Sequence, residues 1–218
     1  MRIGRTVALT SLAAPALAAL LTMIPVPSTA QAPGGARGPA PQPQPQPAGR
    51  RTIETMTLTS SSWADGGAIP AKFTQAGGEV SPAFTWSKAP EGVVSYVLLA
   101  HDPDAAFGNG TSDVLHWLLW NIPGSSTGLA EGLAAVSQLP DGTRQISQTG
   151  PYYRGPGAMA AGATHHYVFE LFALDTTIEV PAVGASPADT RAAVMAAMAG
   201  HVRGKASYVG LFKRAALR

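Results

Sequence analysis

The chain has 218 residues, and its 15 Lys and Arg against 13 Asp and Glu leave a formal net charge of only +2. Apart from a small cluster at Lys205, Lys213, Arg214 and Arg218 the basic residues are scattered, with no interleaved basic and aromatic stripe, so nucleic acid is not an expected partner. There is no cysteine, so an exported form has no disulfide to rely on and its core alone must hold it.

In chain order, Arg2 and Arg5 come first, then an apolar run rich in Ala and Leu over residues 7–24, then Ser28 and Ala30 spaced as a small-residue cleavage site. These features predict a secretory signal peptide at 1–30 and a periplasmic or secreted bacterial product. Left uncut, this segment would be an anchor and the expected membrane contact. Residues 31–51, rich in Pro, Gln, Gly and Ala, predict a disordered tether, partly polyproline II. Residues 52–214 remain as one folded domain, long enough to bury a core.

Within it, the 24 glycines and 19 prolines of the chain fall mostly between short apolar runs, which predicts a mostly β domain with peripheral helices. Strands are expected at 56–60, 83–86, 93–101, 116–122, 166–174 and 206–212. The runs at 93–101 and 116–122 are apolar at successive positions, as in central strands covered on two sides. The sequence SPADTRAAVMAAMAG predicts a helix over 187–199. Ser186 suits the N-cap, Pro187 the first turn and Gly200 the position past the end. Val194, Met195 and Met198 are expected to face the core.

The candidate chemistry sits at strand ends. In HDPDAAF, Asp102 precedes Pro103 and is therefore held extended. Its carboxylate either faces a cavity mouth or bonds to backbone N–H groups of its own turn, and Asp104 fits the second role. His116 opens the second apolar run beside Trp117, either as a packed core histidine or as a site residue. In HHYVFELF, His165 and Tyr167 share one face of a strand with Phe169 and Leu171, placing an imidazole and a phenol above an apolar floor. The loop GPYYRGPGAMAAG carries Tyr152, Tyr153, Pro156 and Gly157, and its backbone N–H groups either cradle an anion or only close tight turns. Residues 124–128 read GSSTG, which satisfies G-x-S-x-G, but Pro123 separates them from the strand and glycines weaken any following helix. No metal or dinucleotide fingerprint is present, and neither cofactor nor metal is expected.

HDPDAAF with HWLLWNIP, the GPYYRGPG loop leading into HHYVFELFALD, and the closing GHVRGKASYVGLFKR together resemble the phosphatidylethanolamine-binding protein family, and best its bacterial, Raf-kinase-inhibitor-like (YbhB/YbcL) branch. The resemblance implies a central β-sheet packed on a smaller second sheet. It implies that Asp102, His116, His165 and Tyr167 line a small pocket for an anionic or phosphorylated head-group ligand such as phosphoethanolamine. Asp104, Ala106, Tyr152, Tyr153, Pro156 and Gly157 then fall on its rim. In that picture both imidazoles and the phenol donate to the anion, and Asp102 keeps an imidazole protonated. Ala106 replaces the second proline of the family's D-P-D-A-P, and Met159 stands where related sequences often have a proline. The set has no activated nucleophile, so a binding protein is expected rather than an enzyme. Two alternatives stay open: a partner-binding regulator such as a protease or kinase inhibitor, and a weak ester or phosphoester hydrolase using a histidine as base.

Overall fold

The long apolar runs form strands whose successive side chains point to opposite faces. The computed structural model describes residues 52–107, 110–158 and 162–215. The segments expected to be a signal peptide and a tether, and Met159, lie outside them. In chain order the elements are β1 (Glu54–Thr55), β2 (Thr57–Thr59), β3 (Gly67–Ala68), β4 (Phe84–Ser87), β5 (Ser95–Phe107), β6 (Ser112–Pro123), β7 (Gly128–Leu129), β8 (Arg144–Ile146), β9 (His165–Leu174), α1 (Pro187–Met198) and β10 (Val202–Phe212). The main sheet has the order β1-β10-β9-β5-β6-β8, with β3 also paired to β10, and the smaller sheet is β2-β4-β7.

Both faces of the main sheet are covered. Leu98, Ala100, Trp117, Leu119, Phe169 and Leu171 point into a core shared with Leu58, Phe84 and Trp86 of the small sheet. Val97, Leu99, Leu118 and Trp120 point the other way, against Val194 and Met198 of α1 and against Ile178. Neighbours along one strand thus enter different cores, which explains why these runs lack polar positions. Burying each large side chain contributes about 1.5–3 kcal/mol, and this replaces the absent disulfides.

The helix starts where its cap predicts. Ser186 Oγ accepts the Asp189 N–H at 3.1 Å and donates to Asp189 Oδ2 at 2.7 Å. It ends before Gly200, whose φ of 84° suits a residue without Cβ. Its inward face is Thr190, Val194 and Met198, whereas Met195 is 40% exposed. The expectation that Met195 packs in the core is therefore corrected: one residue past Val194, the helix has turned it outward. Replacing Ser186 by alanine should cost about 1 kcal/mol of stability in urea unfolding. An unchanged midpoint would show that Pro187 and packing hold the helix start without the cap.

Two further expectations change. HDPDAAF is not a turn: β5 runs through it to Phe107, and β6 begins at Ser112, so His116 lies inside a strand rather than opening it. The final strand starts at Val202, earlier than its apolar stretch suggests, because β10 pairs with β9 along nearly all of its length. Residues 124–128 connect β6 to β7 with no helix following, which removes the nucleophile-elbow context.

Candidate functional site

The site is built where β5 departs from regular pairing. β5 advances from Asp102 to Ala106 while β6 advances only from Val114 to Asp113, so residues 103–105 bulge out. Pro103 has no N–H to give to a ladder and fits a bulge. Asp104 belongs to the bulge, and its N–H donates to Asp102 Oδ1 at 3.0 Å. The other oxygen of Asp102 accepts from His165 Nδ1 at 2.8 Å. Asp102 therefore fills both roles open to it, with a bulge in place of a turn: it accepts a backbone N–H of that bulge and it holds an imidazole. It is only 2% exposed.

Asp104 faces the neighbouring histidine. Its Oδ2 accepts from the His166 backbone N–H at 2.7 Å and from His166 Nδ1 at 2.8 Å. These bonds, the backbone one first, hold its carboxyl below the usual range. The start of β9 is thus pinned to the bulge at two successive residues.

His116 approaches from β6. It is 5% exposed, and its ring meets the Tyr167 ring edge-on at 4.9 Å between centroids. Its Nδ1 lies 2.6 Å from the Arg154 carbonyl oxygen. A carbonyl only accepts, so Nδ1 carries the proton and Nε2 of the neutral ring keeps its lone pair. Burial pushes the His116 pKa down, and this outweighs the Arg154 carbonyl and the Asp102 charge, which favour the cation. The Nδ1–H of His116 is thus committed to Arg154 rather than to Asp102, and burial favours its neutral ring. The imidazole bonded to Asp102 is His165. Tyr167 is 2% exposed, and burial, then the negative charge of Asp102, raise its pKa, so it remains a phenol.

A family model described as phosphatidylethanolamine-binding protein matches residues 59–213. The chain belongs to this family. It is 38% identical over 161 residues to a UPF0098 protein of Methanothermobacter thermautotrophicus, covering 73% of this chain and 99% of that protein. It is 33% identical over 130 residues to Escherichia coli YbhB, covering 55% of this chain and 78% of YbhB. The crystal structure of E. coli YbcL, described as a member of the mammalian PEBP family, superposes with a TM-score of 0.61 at 26% identity, covering 72% of this chain and 98% of YbcL. The family resemblance and the two-sheet fold read from the motifs are both established.

In this member of the phosphatidylethanolamine-binding protein family the rim residues divide. The backbone N–H groups of Gly157 and Ala158 lower the Tyr167 pKa, against the larger raising effects of burial and of the Asp102 charge. Pro156 is buried, and its carbonyl accepts the Gln75 N–H at 3.0 Å. Ala106 is exposed and pairs with Asp113. Tyr153 is not a rim residue. It is 3% exposed, packs edge-on against Trp117 at 5.4 Å, and its buried hydroxyl finds no hydrogen-bond partner. Tyr152 reaches back to the Thr149 carbonyl at 3.4 Å and lines a separate cavity of about 300 Å³ with Gly78, Glu79 and Leu133. A larger, mostly apolar cavity of about 830 Å³ lies beyond Phe212, whose ring is 6.5 Å from that of Tyr167.

What positions the loop was not legible beforehand. Arg154 donates to Glu79 Oε2 and Gln75 Oε1, each at 3.0 Å, and the Gly155 N–H donates to Glu79 Oε1 at 3.2 Å. Gly155 lies so close to this segment that a Cβ would fall 2.4 Å from the Phe73 carbonyl oxygen. These N–H groups are therefore spent on Glu79 and on the His116 carbonyl, which accepts the Arg154 N–H at 2.8 Å. They are not free to cradle an anion. Arg154 and Glu79 are 75 positions apart, and the available hint was an acid inside a glycine turn, AGGEV.

Proposed function

We propose that the protein binds a small anionic or phosphorylated head-group ligand at Asp102, His116, His165 and Tyr167, and acts by binding rather than turnover. The observation that carries this is the buried Asp102–His165 pair beside His116 and Tyr167. Both histidines spend Nδ1 on protein acceptors, so each ring is oriented with Nε2 left for a ligand. None of these side chains is a serine or cysteine nucleophile with an adjacent base, which favours a binding site over a hydrolase. An apolar remainder of the ligand would lie outside this small set, toward the cavity beside Phe212. We further propose export, on the signal-peptide character of residues 1–30. No helix among the described residues is long and apolar enough to cross a membrane.

The test is thermal unfolding of the protein with phosphate, phosphoethanolamine, glycerophosphoethanolamine or acetate. A ligand at a hundredfold its Kd stabilises by about 2.7 kcal/mol. A phosphate compound is expected to raise Tm in the wild type and to leave the His116→Ala variant at its own baseline. No shift with any of the compounds would refute the anion site.

A further inference from the structure

We infer that the site selects a phosphate that still carries a proton, a phosphomonoester monoanion, over a phosphodiester, because His116 presents a lone pair to it. This rests on the anion-site reading above and specifies the ligand class. The geometry sets the hydrogen-bond inventory. The Nδ1–H of His116 is committed to the Arg154 carbonyl, and that carbonyl is held in place because the Arg154 side chain is tied to Glu79 and Gln75. In the neutral ring Nε2 then accepts and does not donate. Asp102 accepts only, and both its oxygens already serve the protein. Tyr167 has one O–H, which faces the Asp102 carboxylate and must turn from it to meet a ligand. His165, with Nδ1 turned to Asp102, likewise offers a lone pair at Nε2 while it is neutral.

A phosphate without a proton would set its oxygens against the His116 lone pair and the Asp102 carboxylate, and neither can bond to it. A P–O–H donates to His116 Nε2, and its other oxygens accept from Tyr167. A phosphodiester at neutral pH has no such hydrogen. The alternative is that His116 takes up the proton. The groups bearing on it are Asp102, Glu79, Arg154 and the Tyr167 ring. The Arg154 carbonyl and the two carboxylates favour an imidazolium, while burial and the Arg154 guanidinium charge oppose it, and burial is the largest influence. The proton therefore stays on the ligand.

The experiment is calorimetric titration of the full chain with methyl phosphate and with dimethyl phosphate from pH 5.5 to 8, together with ¹⁵N shifts of the histidine rings at saturation. A phosphomonoester loses its second proton at about pH 6. Methyl phosphate affinity should fall by about tenfold per pH unit above that, and dimethyl phosphate should bind at least about tenfold more weakly at pH 5.5. His116 should keep the shifts of a neutral Nδ1–H ring in the complex. His116→Gln, whose amide can turn an N–H toward the ligand, should narrow the gap between the two esters. Equal binding of both esters by the wild type, or an imidazolium at His116 in the complex, overturns the inference and leaves the anion site standing. Binding of neither ester overturns both.

Discussion

Replacing Asp102 by alanine is expected to lower stability by about 3 kcal/mol, because it removes a buried carboxylate that accepts two hydrogen bonds. The carboxylate is almost fully buried and holds the His165 ring and the Asp104 N–H with separate oxygens. Without it, two donors lose their acceptors, and a hydrogen bond to a charged group contributes about 1.5–3 kcal/mol. The His165 side chain is 18% exposed, so water recovers part of the loss. Asp102→Asn keeps the shape and one acceptor oxygen, and should cost about half as much. Urea unfolding near pH 6 reads both. A loss below about 1 kcal/mol for the alanine variant would show that the bulge is held by Asp104 and His166 instead. Because Asp102 orients His165, the alanine variant should also lose any phosphate-induced rise in Tm, measured from its own baseline.

The second large effect is a dependence of stability on pH that arises on the opposite face of the main sheet. Arg191 of α1 bonds to Asp113, Asp113 bonds to His101, His101 Nε2 lies 3.4 Å from Glu170, and Glu170 pairs with Lys205 at 2.6 Å. The His101–Glu170 contact is an ion pair rather than a well-formed hydrogen bond, since His101 Nε2 is buried without a hydrogen-bond partner. His101 and Lys205 hold the Glu170 carboxyl down at about 2 against an ordinary 4.5, the His101 contact counting most and burial opposing it. Glu170 is folded with a depressed pKa, so its contribution is complete above about pH 4.5 and is lost as pH falls toward 2. For a side chain 21% exposed this amounts to on the order of 2–3 kcal/mol. For His101, burial favours the neutral ring, but Glu170 and Asp113 win and raise its pKa. Its contribution is therefore complete below about pH 6.5 and fades as pH rises through the raised value. Urea unfolding from pH 2.5 to 8 should show greatest stability between about pH 4.5 and 6.5, with the acid limb the steeper. Glu170→Gln should flatten the acid limb. An acid limb of equal slope in that variant would assign it to other carboxylates.

How much of this was readable in advance depends on how far apart the cooperating residues lie. Asp102, His116, His165 and Tyr167 were picked out by residue type, strand position and family motif, and the structure brings them together. Arg154, Glu79 and Gln75, which hold the loop beside His116, were not. Neither was the ion-pair chain behind Asp102, although His101 and Asp102 are adjacent: strand alternation sends their side chains to opposite faces. Tyr153 was expected at the rim from the family resemblance, and it packs inward against the Trp117 ring.

By itself, the sequence determined what local rules control. Runs that are apolar at successive positions require strands covered on both faces, expected at 93–101 and 116–122. Ser186, Pro187 and Gly200 delimit the helix, and the spacing of His165 and Tyr167 puts them on one face. Only the tertiary structure decided the bulge at 103–105, the outward turn of Met195, and the burial of His116 against the Arg154 carbonyl. Those depend on pairing register, on contacts between distant segments, and on how much water burial removes, and none of these is a property of neighbouring residues alone.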